Sequence, residues 1–479
     1  MNRRTGGAAA AAIIVILASS AGSGPHAQDW TGPYRSATER IIAEATSGRA
    51  AWNRLAEFTG MFPARLSGTD NLQKAIAWAA DQMKRDGLEN VRVDKVMVPH
   101  WVRGTESAEI VQPYPGQIAM AALGGSVGTP ANGIEAEALV VKNYDELEAQ
   151  GPKVKGKIVV YNAVYDTTID PLIAYHEGTQ YRGAGASRAA KLGAVGALVR
   201  SVGPIAHRMP HTGGMRYAAD APQIPVAAIS GEDADKLQRL QDRGTRTIVR
   251  LKMEAHTLPD AESGNVIGEL RGREKPDEIV LIGGHIDSWD LASGAMDDGG
   301  GIIATWEAVR VLKKLNLVPR RTIRVVLFTN EENGTKGGQG YRDQYRDTLS
   351  KHVLVLESDN GMLPLKGWGF NGTDKARAVV TQIAGLLGSL GGTTVTDHYD
   401  GSDVQAASRA GNIPWISPEV DMRPYFFIHH TPADTVDKVN PADMARCVAA
   451  IASMAYVVAD MPEPLERNKP APSDQRRGQ

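Results

Sequence analysis

The sequence predicts an α/β protein: an open sheet flanked by helices, interrupted by one inserted module. Three observations lead there. From residue 263 to 460, apolar strand-like runs alternate with helical periodicity. Between residues 133 and 256 the character changes to short β-like runs with frequent turn signals. Four apolar runs in the second half each end in acidic or histidine residues. In an open α/β sheet, ligand sites lie beyond the carboxyl ends of parallel strands, so residues far apart in sequence converge there.

Taken in order, the chain opens with Asn2-Arg3-Arg4, then an apolar run over 8–19 that is too short to span a bilayer, then small residues. This pattern reads as a leader over residues 1–27, cleaved before Gln28. A secreted or periplasmic protein follows, with no stable membrane anchor after cleavage. Helical periodicity covers 34–57 and 70–85, Gly87 to Asn90 break it, and 91–98 alternates as a strand. Residues 119–128 are rich in Gly and Ala and read as a linker. The module contributes strand-like runs at 136–141, 157–161, 197–202, 226–229 and 247–253, with a Gly/Ala-rich helix at 187–193. The expected division is a first part over 28–120, an insertion over 121–255, a second part over 256–462, and a disordered Pro- and charge-rich tail over 463–479.

At 479 residues the chain is too long for one ordinary domain. Its 42% apolar and 23% charged content is that of a soluble globular protein. A net charge of −2 without basic blocks argues against nucleic acid as a partner. Cys447 is the single cysteine, so no intramolecular disulfide forms, and its apolar helical setting reads as a buried, inert thiol.

The chemistry lies at the strand ends. The run 278–282 is followed by Gly283-Gly284-His285-Ile286-Asp287, in which His285 reads as a metal ligand and Asp287 as the carboxylate that orients its ring. Asp297-Asp298 precedes three glycines and a helix over 302–315. Asp298 is placed to cap that helix, and Asp297 to bridge two ions. The run 322–329 ends in Glu331-Glu332, a like-charged pair that needs something positive nearby. One of the two can bind metal while its neighbour faces the attacking water as general base. Asp359 follows a run at 353–356, and His429-His430 follow a run at 425–428 read as a fourth strand; strand position alone does not separate those two histidines. Five ligands with one glutamate left over make a two-metal hydrolase set, with N/O donors that suit zinc and also admit cobalt or manganese.

His285-x-Asp287, Asp297-Asp298-Gly299, Glu331-Glu332, Asp359 and His430-Thr431-Pro432-Ala433-Asp434-Thr435 together resemble the co-catalytic zinc exopeptidases of metallopeptidase family 28. The runs Asp287-Ser288-Trp289-Asp290 and Gly294 to Gly301 bring it nearest a carboxypeptidase branch of that family. The resemblance implies a three-layer α/β/α fold with a mixed sheet and an inserted protease-associated-type domain. It implies two Zn²⁺ per chain: His285 and Asp359 on one, Glu332 and His430 on the other, Asp297 bridging, Glu331 as general base and Asp287 orienting His285. The family's spacing selects His430 over His429. Segments around His211 and Asp403 also resemble family segments and are expected to contact substrate, and Asp434 is expected to support the site structurally. Trp289 is read either as packing beside the site or as a core aromatic. The implied substrate is a dipeptide or short peptide. The branch points to carboxypeptidase or dipeptidase action, with aminopeptidase action and a non-catalytic receptor-like relative as alternatives. Dimers occur in that branch, so a homodimer is a further expectation.

Overall fold

The structure, a computed structural model, describes residues 30–204, 208–398 and 401–470. The leader expected over 1–27 and the tail residues 471–479 lie outside them. The main sheet has eight strands in the order Glu89–Val102, His256–Leu270, Arg321–Phe328, Lys275–His285, His352–Glu357, Trp415–Val420, Leu365–Asn371, Thr394–Thr396. Its four central strands, from Arg321–Phe328 to Trp415–Val420, run parallel, while antiparallel pairings flank them. The sheet is therefore mixed.

Strand Arg321–Phe328 is buried along its whole length, as a parallel strand covered on both faces must be. Alternate side chains divide between two layers. Val280, Ile282, Ile323, Val325 and Leu327 face a core shared with the helices Gly300–Lys314 and Pro441–Asp460. Leu281, Val326 and Phe328 face the opposite core, which Tyr341, Val404 and Ala407 close from the helices Lys336–Gln344 and Ser402–Gly411. Helix Pro441–Asp460 is apolar and long enough to cross a bilayer, but 83% of that stretch is buried inside the protein, and the fold accounts for its composition. Helix Asp70–Arg85 shows how local sequence fits the layer. Thr69 Oγ1 accepts from Leu72 N at its start, Lys84 and Arg85 complement its C-terminal end, and six residues on one face are buried.

A second eight-stranded sheet forms the module, in the order Gly116–Ile118, Glu106–Gln112, Ile248–Met253, Ile134–Val141, Ile158–Tyr161, Gly196–Arg200, Val226–Ile229, Met120–Ala122. Here the structure departs from the expected division. Glu106–Gln112 pairs with Ile248–Met253, so the module begins before residue 121. The expected linker contains the edge strand Met120–Ala122, whose small residues pack against Val226–Ile229. Other departures have local causes. Residues 34–57 form two helices, Arg35–Ala45 and Ala50–Met61, parted at Ser47-Gly48, residues of low helix propensity. Residues 425–428 are not a strand. After Pro424 the chain makes a tight turn that buries Tyr425 and Phe426 and exposes Phe427; the neighbouring strand is Trp415–Val420. Residues 463–470, expected to be disordered, are held to the domain. Leu465 is buried, and the Arg467 guanidinium donates to the carbonyls of Leu349, Ser350 and His352 at 2.8–3.0 Å.

Candidate metal centre

His285 is the last residue of its strand, and Glu331-Glu332 follow the neighbouring parallel strand, so register alone brings them together. Asp359 follows His352–Glu357 on the other side. Around His285 Nε2, Asp297 Oδ1 lies at 3.2 Å and Asp359 Oδ1 at 3.3 Å. Around His430 Nε2, Asp297 Oδ2 lies at 3.1 Å and Glu332 Oε2 at 3.0 Å. Asp297 thus offers one oxygen to each group. His429 points elsewhere: its Nδ1 is 3.4 Å from His211 Nε2, and its ring stacks on Tyr425 at 4.5 Å. His430 has a φ of +58°, a left-handed conformation that costs a non-glycine residue energy and that the surrounding loop imposes.

These atoms suit cations better than they suit one another. His285 Nε2 and Asp297 Oδ2 are buried and make no aligned hydrogen bond despite the short approaches. Separations of 3.0–3.3 Å match the edge of a tetrahedron whose metal–ligand bonds are about 2.0–2.1 Å. Each group would offer a cation three protein ligands, the number that catalytic zinc sites use. The charge balance points the same way. Burial pushes Glu332 up to about 8 and Asp287 up to about 6, because carboxylates lose hydration there without enough positive charge nearby. Burial alone would lower His285 and His430, yet Asp359 and Asp297 carry the first well above its ordinary value, and Glu332 and Asp297 do the same for the second. The donor set fits two divalent cations.

A ring of hydrogen bonds fixes the ligands. Asp434 accepts from the backbone N–H of Ala295, Met296 and Asp297 at 3.0, 2.6 and 3.1 Å, which sets the loop that carries Asp297. Asp298 accepts from His285 N and Gly301 N, tying the strand end to the following helix. The expected role of Asp287 needs correction. His285 Nδ1 meets the Asp287 backbone carbonyl at 3.1 Å, while the Asp287 carboxylate is 3.8 Å away. That carboxylate instead accepts from Glu331 N at 3.1 Å and Glu332 N at 3.3 Å, so it shapes the glutamate turn, and the carbonyl orients the imidazole. Arg65, unremarked in the sequence, is fully buried and donates to the carbonyls of Phe62, Ile286, Ser293 and Gly294 at 2.6–3.0 Å. Its neighbours Pro63-Ala64 and Leu66-Ser67 carry no motif, so only its contacts reveal it.

Asp403 does not face the cleft. Its Oδ1 accepts from Gly338 N at 3.2 Å and it is buried against helix Lys336–Gln344. Ser402 lines the cleft in its place, donating to Glu331 Oε1. Glu357, also missed, accepts from the N–H groups of Asp403 and Val404 and so anchors that helix start.

The module roofs the site. His211 sits with its ring centroid 4.7 Å from His429 and 5.3 Å from His430, and Thr212 N donates to His430 O at 2.9 Å. Trp289 fulfils both readings: its backbone N–H donates to Glu332 Oε1 at 3.0 Å, while its ring enters the module core. A side chain at Gly124 would put Cβ 2.0 Å from Trp289 Cη2, so this glycine is required for the approach. Two cavities flank the ligands, of 240 and 480 Å³, both lined by Arg182, Glu331 and Glu332.

Comparison with known proteins identifies the relatives of this chain. Residues 265–455 match the model of peptidase family M28, and residues 108–237 match the PA domain. Carboxypeptidase Q of Xenopus laevis is 42% identical over 437 residues, covering 91% of this chain and 92% of its own length. The crystal structure of a peptidase M28 precursor from Shewanella amazonensis superposes with a TM-score of 0.88 at 34% identity, covering 92% of this chain and 99% of that one. A zinc aminopeptidase from Bacillus subtilis shares the fold, with a TM-score of 0.63 at 19% identity over 87% of this chain and 97% of that one.

Proposed function

The chain belongs to peptidase family M28 and is a metallopeptidase, and from that membership we propose that it is an exported two-metal exopeptidase that hydrolyses unblocked dipeptides and short peptides. Zinc is the proposed metal. The observation that carries this reading is Asp297, whose two oxygens divide between a His285–Asp359 group and a His430–Glu332 group. Divalent cations held there supply Lewis acidity, which acidifies water and polarises a carbonyl oxygen.

The protein's own residues do the rest. Glu331 points into the cleft beside the ligands without belonging to either group. It takes the proton from the attacking water and passes it to the departing amide nitrogen, as general base and then general acid. Asp287 holds the Glu331 backbone so that the carboxylate faces the water, and Ser402 steadies one carboxylate oxygen. The roof formed by His211, Thr212 and Trp289 excludes bulk water, which strengthens every charge interaction beneath it.

Cleavage in the carboxypeptidase or dipeptidase direction is the preferred reading, because the named relative is a carboxypeptidase. A panel of free, N-acetylated and C-amidated dipeptides tests it. Hydrolysis that requires a free C-terminus supports the reading. Equal cleavage of free and amidated substrates, with N-acetylated ones inert, makes the enzyme an aminopeptidase. Export rests on the leader expected over 1–27, and a mature N-terminus at Gln28 in material recovered outside the cytoplasm is the corresponding result.

A further inference from the structure

Arg182, on the module helix Pro171–Lys191, is a cation without a counter-charge. Its Nη1 donates to Tyr175 Oη at 2.8 Å and to Thr212 O at 3.3 Å, both neutral acceptors. Its Nε is buried and has no partner. Among the described residues no carboxylate lies within ion-pair distance of it, whereas Arg103 in the same interface is paired to Asp290. A guanidinium N–H gives a carboxylate a charge-assisted hydrogen bond, and Nη2 is the nitrogen that neither bond above uses.

Its position is fixed relative to the metal centre. Arg182 donates to Thr212 O, and Thr212 N donates to the carbonyl of the ligand residue His430. Gly213 lets the guanidinium lie this close, since a Cβ there would stand 2.3 Å from Nη1. Arg182 lines both cavities that Glu331 and Glu332 line. In a dipeptide, the α-carboxylate lies about one Cα–Cα step, ~3.8 Å, beyond the scissile carbonyl. A half-buried cation that lines the same cavities as Glu331, with Nη2 outside both of its hydrogen bonds, is placed for that group.

We propose that Arg182 binds the free α-carboxylate of the substrate's C-terminal residue and thereby sets the direction of cleavage. This rests on the peptidase reading above and names the group that gives it specificity. The substrate class follows: peptides with an unblocked C-terminus one residue beyond the cleaved bond.

The test uses metal-loaded enzyme with Ala-Leu and Ala-Leu-amide, in wild type, Arg182→Gln and Arg182→Lys. Loss of a charge-assisted pair should raise KM for Ala-Leu by about 10- to 100-fold in Arg182→Gln. KM for the amide should move much less, kcat should hold, and Arg182→Lys should fall between, keeping the charge but not the reach and planar geometry of the guanidinium. Calorimetric titration of Ala-Leu into Glu331→Gln, with and without Arg182→Gln, gives a binding readout that does not depend on turnover, and the same factor should appear there. Equal losses for both substrates, or none in either measurement, would overturn the assignment while leaving the peptidase reading intact. Wild type that neither cleaves nor binds Ala-Leu removes the dipeptide-substrate reading and this inference with it. Thermal melts of the two variants matching wild type ensure that the losses are read from folded protein.

Discussion

Replacing Arg65 with Met should unfold the site from behind. The guanidinium is fully buried and makes four hydrogen bonds, to the carbonyls of Phe62, Ile286, Ser293 and Gly294. Burial lowers it only to about 10, so it stays charged at neutral pH, with Asp434 and Asp287 favouring the charge. Methionine fills similar space but donates nothing. The carbonyls of Phe62, Ile286 and Ser293 lose a donor, Gly294 O keeps only its bond from Gly299 N, and Asp434 and Asp287 lose a nearby buried cation. Breaking a buried charged network of this kind costs about 3–5 kcal/mol. Urea unfolding of metal-free protein measures the loss, with Lys95→Met as a comparison, since its ion pair with Glu262 is exposed and worth at most about 1 kcal/mol. The bonds to Ile286 and Ser293 bracket the loop that carries Asp287, so hydrolysis should fall as well. If Arg65→Met were as stable as Lys95→Met and fully active, the argument that this clamp organises the site would be refuted.

Glu331→Gln should lower turnover by about 10²- to 10⁴-fold while metal content stays at the wild-type value, because the amide keeps the shape but cannot take a proton. A variant that keeps half its rate removes Glu331 from the mechanism. Gly124→Ala should cost about 1–3 kcal/mol, since its Cβ would fall 2.0 Å from Trp289 Cη2 and the module must shift. A rise in KM should accompany that shift, and unchanged stability and KM together would show that the module does not rest on Trp289.

Much of the candidate site was legible because its proposed ligands follow strands. His285, Glu331-Glu332 and Asp359 each stand at the end of a buried apolar run, and period-two packing places those ends side by side. His430 was found through its family motif, although the run before it is a turn; aromatic content mimicked a strand where Pro424 redirects the chain. The supporting residues were harder to see. Arg65 acts through backbone carbonyls distant in sequence, which leave no periodicity and no motif. The segment around Asp403 was named for its family resemblance, but direction around a helix start decides which of two neighbours faces the cleft. The module's early boundary was hidden because Glu106–Gln112 pairs with a strand some 140 positions later, a contact invisible to any local window.

Metal stoichiometry in purified, folded variants tests the shared carboxylate most directly. Wild type should bind two equivalents of zinc per chain. Asp297→Ala should lose both, since Oδ1 and Oδ2 serve different groups, and Asp359→Ala should weaken mainly the one it shares with His285. A single equivalent in wild type, or the same stoichiometry in Asp297→Ala and Asp359→Ala, would contradict the bridged two-metal centre.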